Sequence, residues 1–243
     1  MRAWWAQTRA EVRMTVRRGE TLLLTIAIPV LLLVFFSLAR VTASPTAHRV
    51  DFIAPGIIAL SVLSTAMVAL SIATGFERSF GVLRRLYVTP LGRRRLIGAK
   101  IAGVLVTEII QVVVVAAVAL ALGWRPHGGV HGAATVVVVI LLGSMGLAGI
   151  GLGLAGWLRA EVNLAASNGL YLVLLLISGI VVPLSSLPSA LGRVAVALPS
   201  GAMAEALHRV LGSGLAPSGT DWVVLAAWSL AAPLLAARSF RLD

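Results

Sequence analysis

Six long apolar runs divide the chain: Thr21–Ala39, Phe52–Phe76, Leu96–Gly123, Ala133–Leu158, Leu164–Val182 and Trp222–Ala237. Most approach or exceed the ~20 apolar residues that a helix needs to cross a hydrocarbon core ~30 Å thick. None alternates with the two-residue period of a lipid-facing barrel strand. The pattern predicts an all-α integral membrane protein with six transmembrane helices. The last run is short and contains Pro233, which kinks a membrane helix without destroying it. The first run is longer than the apolar part of a signal peptide and follows a basic segment of about twenty residues. It is therefore read as a retained span, although Ala43–Ala47 imitates a cleavage site.

Composition sharpens this reading. Apolar residues make up 59% of the chain and charged residues 12%, whereas soluble domains carry about 25% charged residues. A water-soluble globule of 243 residues is excluded. Twenty basic residues against nine acidic ones give a formal charge of +11. They flank the apolar runs, so the excess speaks for membrane topology and not for a nucleic-acid partner. With the termini inside, fifteen basic residues fall on the inner side and five on the outer. The positive-inside rule then places both termini in the cytoplasm. There is no cysteine, which removes disulfides and thiolate chemistry together.

Three stretches between and beside the spans carry structure of their own. Residues 1–19 read as an amphipathic helix, with Trp5, Val12 and Val16 on one side and Arg2, Arg9, Arg13 and Arg17 on another. Such a helix lies in the membrane interface, either as a plain anchor or as a lever joined to the first span at Gly19. Residues 77–95 form the loop after the second span. Read as a helix, they place Glu77, Gly81, Arg84 and Arg85 on one polar face and Phe80, Leu83 and Tyr87 on an apolar stripe. Thr89-Pro90 ends it, because the residue before proline disfavours the helical region. Residues 183–219 carry prolines at 183, 188, 199 and 217 around two apolar pieces, Ser189–Leu198 and Ala202–Leu211. Both pieces are too short to span, so they are expected to rest on or dip into the outer leaflet. His48, His127, His131 and His208 fall on that side and read as solvated loop residues, with no metal site.

Catalytic chemistry is missing. The chain has no G-x-x-x-x-G-K-[ST] loop, no H-E-x-x-H and no G-x-S-x-G. Its lone lysine, Lys100, lacks the surroundings of a phosphate-binding loop. One acid, Glu108, falls inside the third span with Gln111 about one turn later. An intramembrane carboxylate is costly and marks either function or a polar contact between helices. With no second acid or base nearby, the packing role is favoured over a proton relay. In the fourth run, Gly146, Gly149, Gly153 and Gly156 line one helical face, a surface suited to close helix approach.

Two blocks carry a resemblance to a known family. The first is Glu77-Arg78-x-x-Gly81-x-Leu83-x-Arg85-Leu86-x-x-Thr89-Pro90, followed by Gly98-x-Lys100. The second runs from Ser178-Gly179 through Pro183, Leu187-Pro188 and Pro199 to Glu205-Ala-Leu-His-Arg209. The chain resembles the membrane-spanning permease subunit of type-2 ATP-binding cassette (ABC) exporters, nearest to the bacterial drug-export branch. It departs from the pattern at His208, inserted before the arginine, and lacks an aromatic after Pro199.

The resemblance implies one transmembrane domain over residues 1–243 in the bacterial cell membrane. Arg78–Pro90 would dock on a soluble ABC ATPase, present in two copies, whose bound ATP and Mg supply the energy. This chain itself would bind no cofactor and catalyse no reaction. A second six-span subunit, identical or homologous, would complete a dimer surrounded by lipid, with no nucleic acid. A hydrophobic or amphipathic substrate (drug, lipid or glycoconjugate) would leave along the first, second and fifth spans, touching Phe35, Ser64, Met67, Ser167, Asn168 and Tyr171. The alternative is a gradient-driven secondary transporter using Glu108.

Overall fold

The computed structural model describes residues 5, 7–11, 13, 19–38, 49–83, 92–180, 184 and 187–239. Among these the regular elements are all helical. They are α1 (Gly19–Leu38); α2 (Arg49–Val62), a π-helical segment (Leu63–Ala69) and α3 (Leu70–Ser79), which run on as one helix; α4 (Gly92–Ala121); α5 (Gly129–Trp157); α6 (Ala160–Ile177); α7 (Ser189–Ala197); α8 (Pro199–Leu207), which continues as a second π-helical segment (His208–Gly212); and α9 (Gly219–Ser239). Positions 5, 7–11 and 13 are helical as well.

Among the described residues, five helices are long and apolar enough to cross a bilayer: Val50–Ser79, Arg95–Ala121, Gly129–Trp157, Ala160–Ile177 and Gly219–Arg238. They coincide with the second to sixth predicted runs. The first run is helical as well, in α1, whose 20 residues run from Gly19 to Leu38. The second span is the centre of the bundle, with 72% of its apolar window buried against 22–28% for Arg95–Ala121, Ala160–Ile177 and Gly219–Arg238. Leu33 of α1, Ile58 and Leu63 of the second span, Leu147 and Leu152 of α5, Leu207 of α8 and Leu225 of α9 are fully buried in one apolar core.

Small residues set the helix spacings. A Cβ on Gly149 would fall 2.5 Å from the Ala232 carbonyl carbon and the Pro233 nitrogen, so α5 and α9 touch backbone to backbone there. Gly146 meets Trp228 and Pro199, while Gly143 and Gly151, outside the predicted stripe, meet Met203 and Met67. Gly153 has nothing within 4 Å of its hypothetical Cβ. The close approach to α9 is thus made at Gly149 and Gly146, and Gly153 takes no part in it. Drift at 3.6 residues per turn separates positions that a simple stripe groups together.

Between α6 and α9 the two short apolar pieces form α7 and α8. Pro188 sits at the N-cap of α7 and Pro199 opens α8, the position where a missing N–H costs nothing. Gly201 leaves room for the Ala195 carbonyl at the corner between them. Ser178 Oγ donates to Ser200 Oγ at 2.6 Å, fastening this corner to the end of α6. Pro183 lies outside the described residues.

Candidate functional site

The arginine-rich end of the second span is built around one buried cation. Lys100, near the start of α4, is 3% exposed. Its ammonium donates to Glu77 Oε2 at 2.5 Å and to Glu11 Oε1 at 3.2 Å. Glu77 belongs to the last turns of α3 and Glu11 to the N-terminal helical stretch, so one side chain joins three parts of the chain. A buried ammonium is costly unless paired, and two carboxylates supply the pairing. Gly103, about one turn beyond Lys100, lets the N-terminal stretch come close: a Cβ there would stand 2.9 Å from Glu11 Cβ.

Arg78, next to Glu77, points elsewhere. Its Nη2 donates to the Leu158 carbonyl at 2.7 Å, at the C-terminal cap of α5. A cation there satisfies an orphan carbonyl and the negative end of the helix dipole. The end of the second span is therefore tied to α4 through Glu77 and to α5 through Arg78.

The helix predicted to continue from Glu77 past Gly81 is interrupted. α3 stops at Ser79, and Gly81 adopts φ +70°, with Phe80 N–H bonded to Phe76 O at 2.9 Å and Gly81 N–H to Arg78 O at 3.0 Å. This is a glycine-ended helix, where only glycine takes the left-handed conformation without strain. Helix resumes at Val82 and Leu83. Glu77 and Gly81 consequently do not share a helical face. Phe80 is 73% exposed while Leu83 is fully buried, so the two form no common stripe. Arg84, Arg85, Thr89 and Pro90, like Tyr87, lie outside the described residues.

A crevice of about 350 Å³ opens between the first helix, the second span and α6. It is lined by Thr25, Ile28 and Pro29 of α1, by Ser64, Thr65, Val68 and neighbours from the π-helical part of the second span, and by Asn168 and Tyr171 of α6. A π-helical turn is wider than an α-turn and often marks a functional position. Of the residues expected on the path, Ser64, Asn168 and Tyr171 line this crevice. Phe35 lies elsewhere on α1, exposed, and Met67 is fully buried with its backbone toward Gly151. Ser167 is buried too, and its hydroxyl donates to Ser71 Oγ at 2.9 Å.

Ser167 belongs to a polar cluster that sequence reading missed. Ser71 Oγ donates to Asn163 Oδ1, and Asn163 Nδ2 donates back to the Ser71 carbonyl, both at 2.9 Å. Gly75 makes the space, since a Cβ there would sit 2.7 Å from Asn163 Nδ2. The cluster clamps α3 to α6 close to the crevice.

Behind the crevice wall, the Gln111 amide is fully buried and bonded to both α1 and the second span. Glu108, also buried, has Ser144 of α5 as its neighbour. Neither carboxylate oxygen nor Ser144 Oγ makes a hydrogen bond within the described structure. Glu108 thus faces Ser144 of α5, while Gln111 bonds across to α1 and the second span.

A second cavity, of about 540 Å³, lies beside α8, bounded by Phe52, Glu205, His208 and Asp221 among others. Arg209 Nε donates to the Ala216 carbonyl at 3.0 Å. Burial, and next the Asp221 charge, raise the Glu205 pKa. His208 stacks on Phe52 with ring centroids 4.7 Å apart, so it is a packed residue and not a solvated one. Burial pushes its imidazole down to about 4, against a hydrogen bond to the Gly179 backbone. Among the described residues no cluster of His, Asp and Glu could hold a metal ion.

The described residues form ion-pair and hydrogen-bond links between helices, and a crevice between α1, the second span and α6. Comparison with curated proteins finds no match. The family model of the ABC-2 type transporter matches residues 2–211, from the N-terminal helical stretch through α8. That match covers most of the chain, and the protein belongs to the ABC-2 type transporter family.

Proposed function

We propose that this chain is the permease subunit of an ATP-driven exporter, with both termini in the cytoplasm of a bacterial cell and the whole chain acting as one transmembrane domain. A separate ABC ATPase, two copies per complex and carrying ATP and Mg, docks on the segment that begins at Glu77 and Arg78 and includes Gly81 and Leu83. A second six-span subunit completes the dimer. The cargo is a hydrophobic or amphipathic molecule, drug efflux being the nearest class, and it moves along the crevice lined by Ser64, Asn168 and Tyr171.

The observation that supports this most is the Lys100 junction. Closure of the ATPases displaces the loop after α3. Glu77 carries that displacement to α4 through Lys100 and to the N-terminal helix through Glu11, while Arg78 carries it to α5. The gradient-driven alternative is not favoured, since Glu108 has no ionisable partner in the described structure and the family is one of ABC transporters.

Co-purification with a candidate ATPase tests the proposal. The isolated chain should hydrolyse no ATP, and the complex should contain ATPase and permease in equal numbers. Intrinsic ATP turnover by the purified chain, or failure of Lys100 and Glu77 variants to alter substrate-stimulated turnover in the complex, would overturn it.

A further inference from the structure

Gln111 makes an unusual pair of contacts. Its Nε2 donates to the Thr25 carbonyl of α1 at 2.7 Å, and its Oε1 accepts from Thr65 Oγ1 of the second span at 2.9 Å. One fully buried amide on α4 thereby holds together the two walls of the crevice, since Thr25 and Thr65 both line it.

Both bonding partners are available for a reason. Pro29 lies inside α1, four residues after Thr25. Proline has no N–H, so the Thr25 carbonyl is left without the helical donor at position 29. In a membrane a carbonyl freed in this way is satisfied from a neighbouring helix. Thr65 lies in the π-helical segment Leu63–Ala69, where the wider turn alters which side chains face the neighbouring helices. A missing helical donor in one wall and a π-helical turn in the other converge on the same amide.

Gln111 also shares a helix with Lys100. The two are eleven residues apart in α4, which is about three turns, ~16 Å, and within about 20° of the same face. The cation held by Glu77 and Glu11 and the amide holding the crevice walls are thus fixed to one helix and one face. We infer that Gln111 is a latch: it sets how far α1 can separate from the second span, and α4 links its release to movement at the Lys100 junction. Gln111 is a positioning residue and need not touch cargo. Only the consequence for export rests on reading the crevice as the substrate path.

The absence of cysteine makes the test direct. Ser64→Cys places a thiol in the crevice, and Thr220→Cys places one in the cavity beside α8 as a reference. Maleimide labelling of the full chain in lipid nanodiscs reads thiol accessibility. Gln111→Leu removes both bonds and should speed labelling at Ser64→Cys about tenfold or more, with Thr220→Cys changing less than about twofold. Thr65→Val keeps the side-chain shape, removes one bond and should give about fivefold. If Gln111→Leu does not fold, Thr65→Val decides alone.

A wild-type labelling rate in Thr65→Val, or an equal rise at both thiols, would overturn the latch. Restraint of α4 should also matter: Lys100→Met should speed labelling at Ser64→Cys more than at Thr220→Cys, and no difference between the two would break the link to the junction. Because labelling uses neither cargo nor ATPase, the path reading can fail separately. Unchanged export of the neutral dye Nile red by Ser64→Trp would exclude the path and leave the latch standing.

Discussion

Lys100 Nζ lies 2.5 Å from Glu77 Oε2, joining the start of α4 to the end of the second span across 23 residues of sequence. The pair is asymmetric in its energetics. Glu77 loses one partner when Lys100 is removed, but Lys100 keeps Glu11 when Glu77 is removed.

Lys100→Met should therefore cost about 2–4 kcal/mol of stability, because it leaves two partly buried carboxylates facing each other. Glu77→Gln should cost only ~1 kcal/mol, since the amide oxygen can still accept a hydrogen bond. Thermal unfolding of the detergent-solubilised variants distinguishes these. In the ATPase complex Glu77→Ala should lower substrate-stimulated turnover more than it lowers complex recovery. Equal losses of stability in Lys100→Met and Glu77→Gln would mean that the junction contributes no pairing energy.

Gly81 supplies a second prediction, one whose mechanism differs from the sequence expectation. Nothing stands within 4 Å of a Cβ built there, so bulk alone is tolerated in the described structure, but φ is +70°. A left-handed conformation costs an ordinary L-residue about 1–2 kcal/mol, and asparagine less. Gly81→Asn should retain most docking and export, Gly81→Ala should lose part, and Gly81→Val should lose most. Complex recovery at equal membrane levels measures the series. If Asn and Val behave alike, contact with the ATPase and not backbone strain governs the position.

The spans were legible because a bilayer demands runs of about twenty apolar residues, and that demand is visible without tertiary knowledge. The short α7 and α8 were legible for the converse reason. The arginine-rich end of the second span was less so. Thr89-Pro90 is a strong stop signal, and it drew the helix boundary past Gly81, where a glycine following Ser79-Phe80 already ends α3. Glu11 is 89 residues from Lys100, and periodicity names no partner at that distance. One signal was available and missed: Pro29 in an apolar run removes the helical N–H that would meet the carbonyl four residues earlier, and that carbonyl accepts from Gln111. The Ser71–Asn163–Ser167 cluster had no comparable cue, since isolated serines are common in membrane helices.

Glu108 has at most the Ser144 hydroxyl to lose as a polar neighbour, and its carboxylate is poorly satisfied. Replacing a buried, unpaired polar group by an apolar one of similar size is neutral or stabilising. Glu108→Leu should accordingly match or exceed wild type in thermal stability by up to ~2 kcal/mol, and Glu108→Gln should keep assembly and most export. The comparison pairs melting curves with an export assay in the ATPase complex. Intact assembly with complete loss of export in Glu108→Gln would make the carboxyl a proton carrier and overturn the packing role.

His208 gives the pH dependence. Its imidazole is pushed down to about 4 by burial in the folded protein, whereas an unfolded histidine titrates near 6.5. Above pH 6.5 both states are neutral and the residue has no linkage effect. Between pH 6.5 and 4 the unfolded state binds the proton and the folded state does not, so stability falls with pH, by ~3 kcal/mol over the window. Glu205 works in the opposite sense: its raised folded pKa favours the folded state as pH falls through the carboxylate range. The two are separated by difference. His208→Gln loses the imidazole titration and retains Glu205, so the stability gap between wild type and variant should narrow or invert as the pH drops from 7 to 4. Melting temperatures of the full chain in nanodiscs at half-unit pH steps measure the gap. A gap constant across that range would mean that the imidazole takes up its proton in place, with the stack on Phe52 opening to admit water.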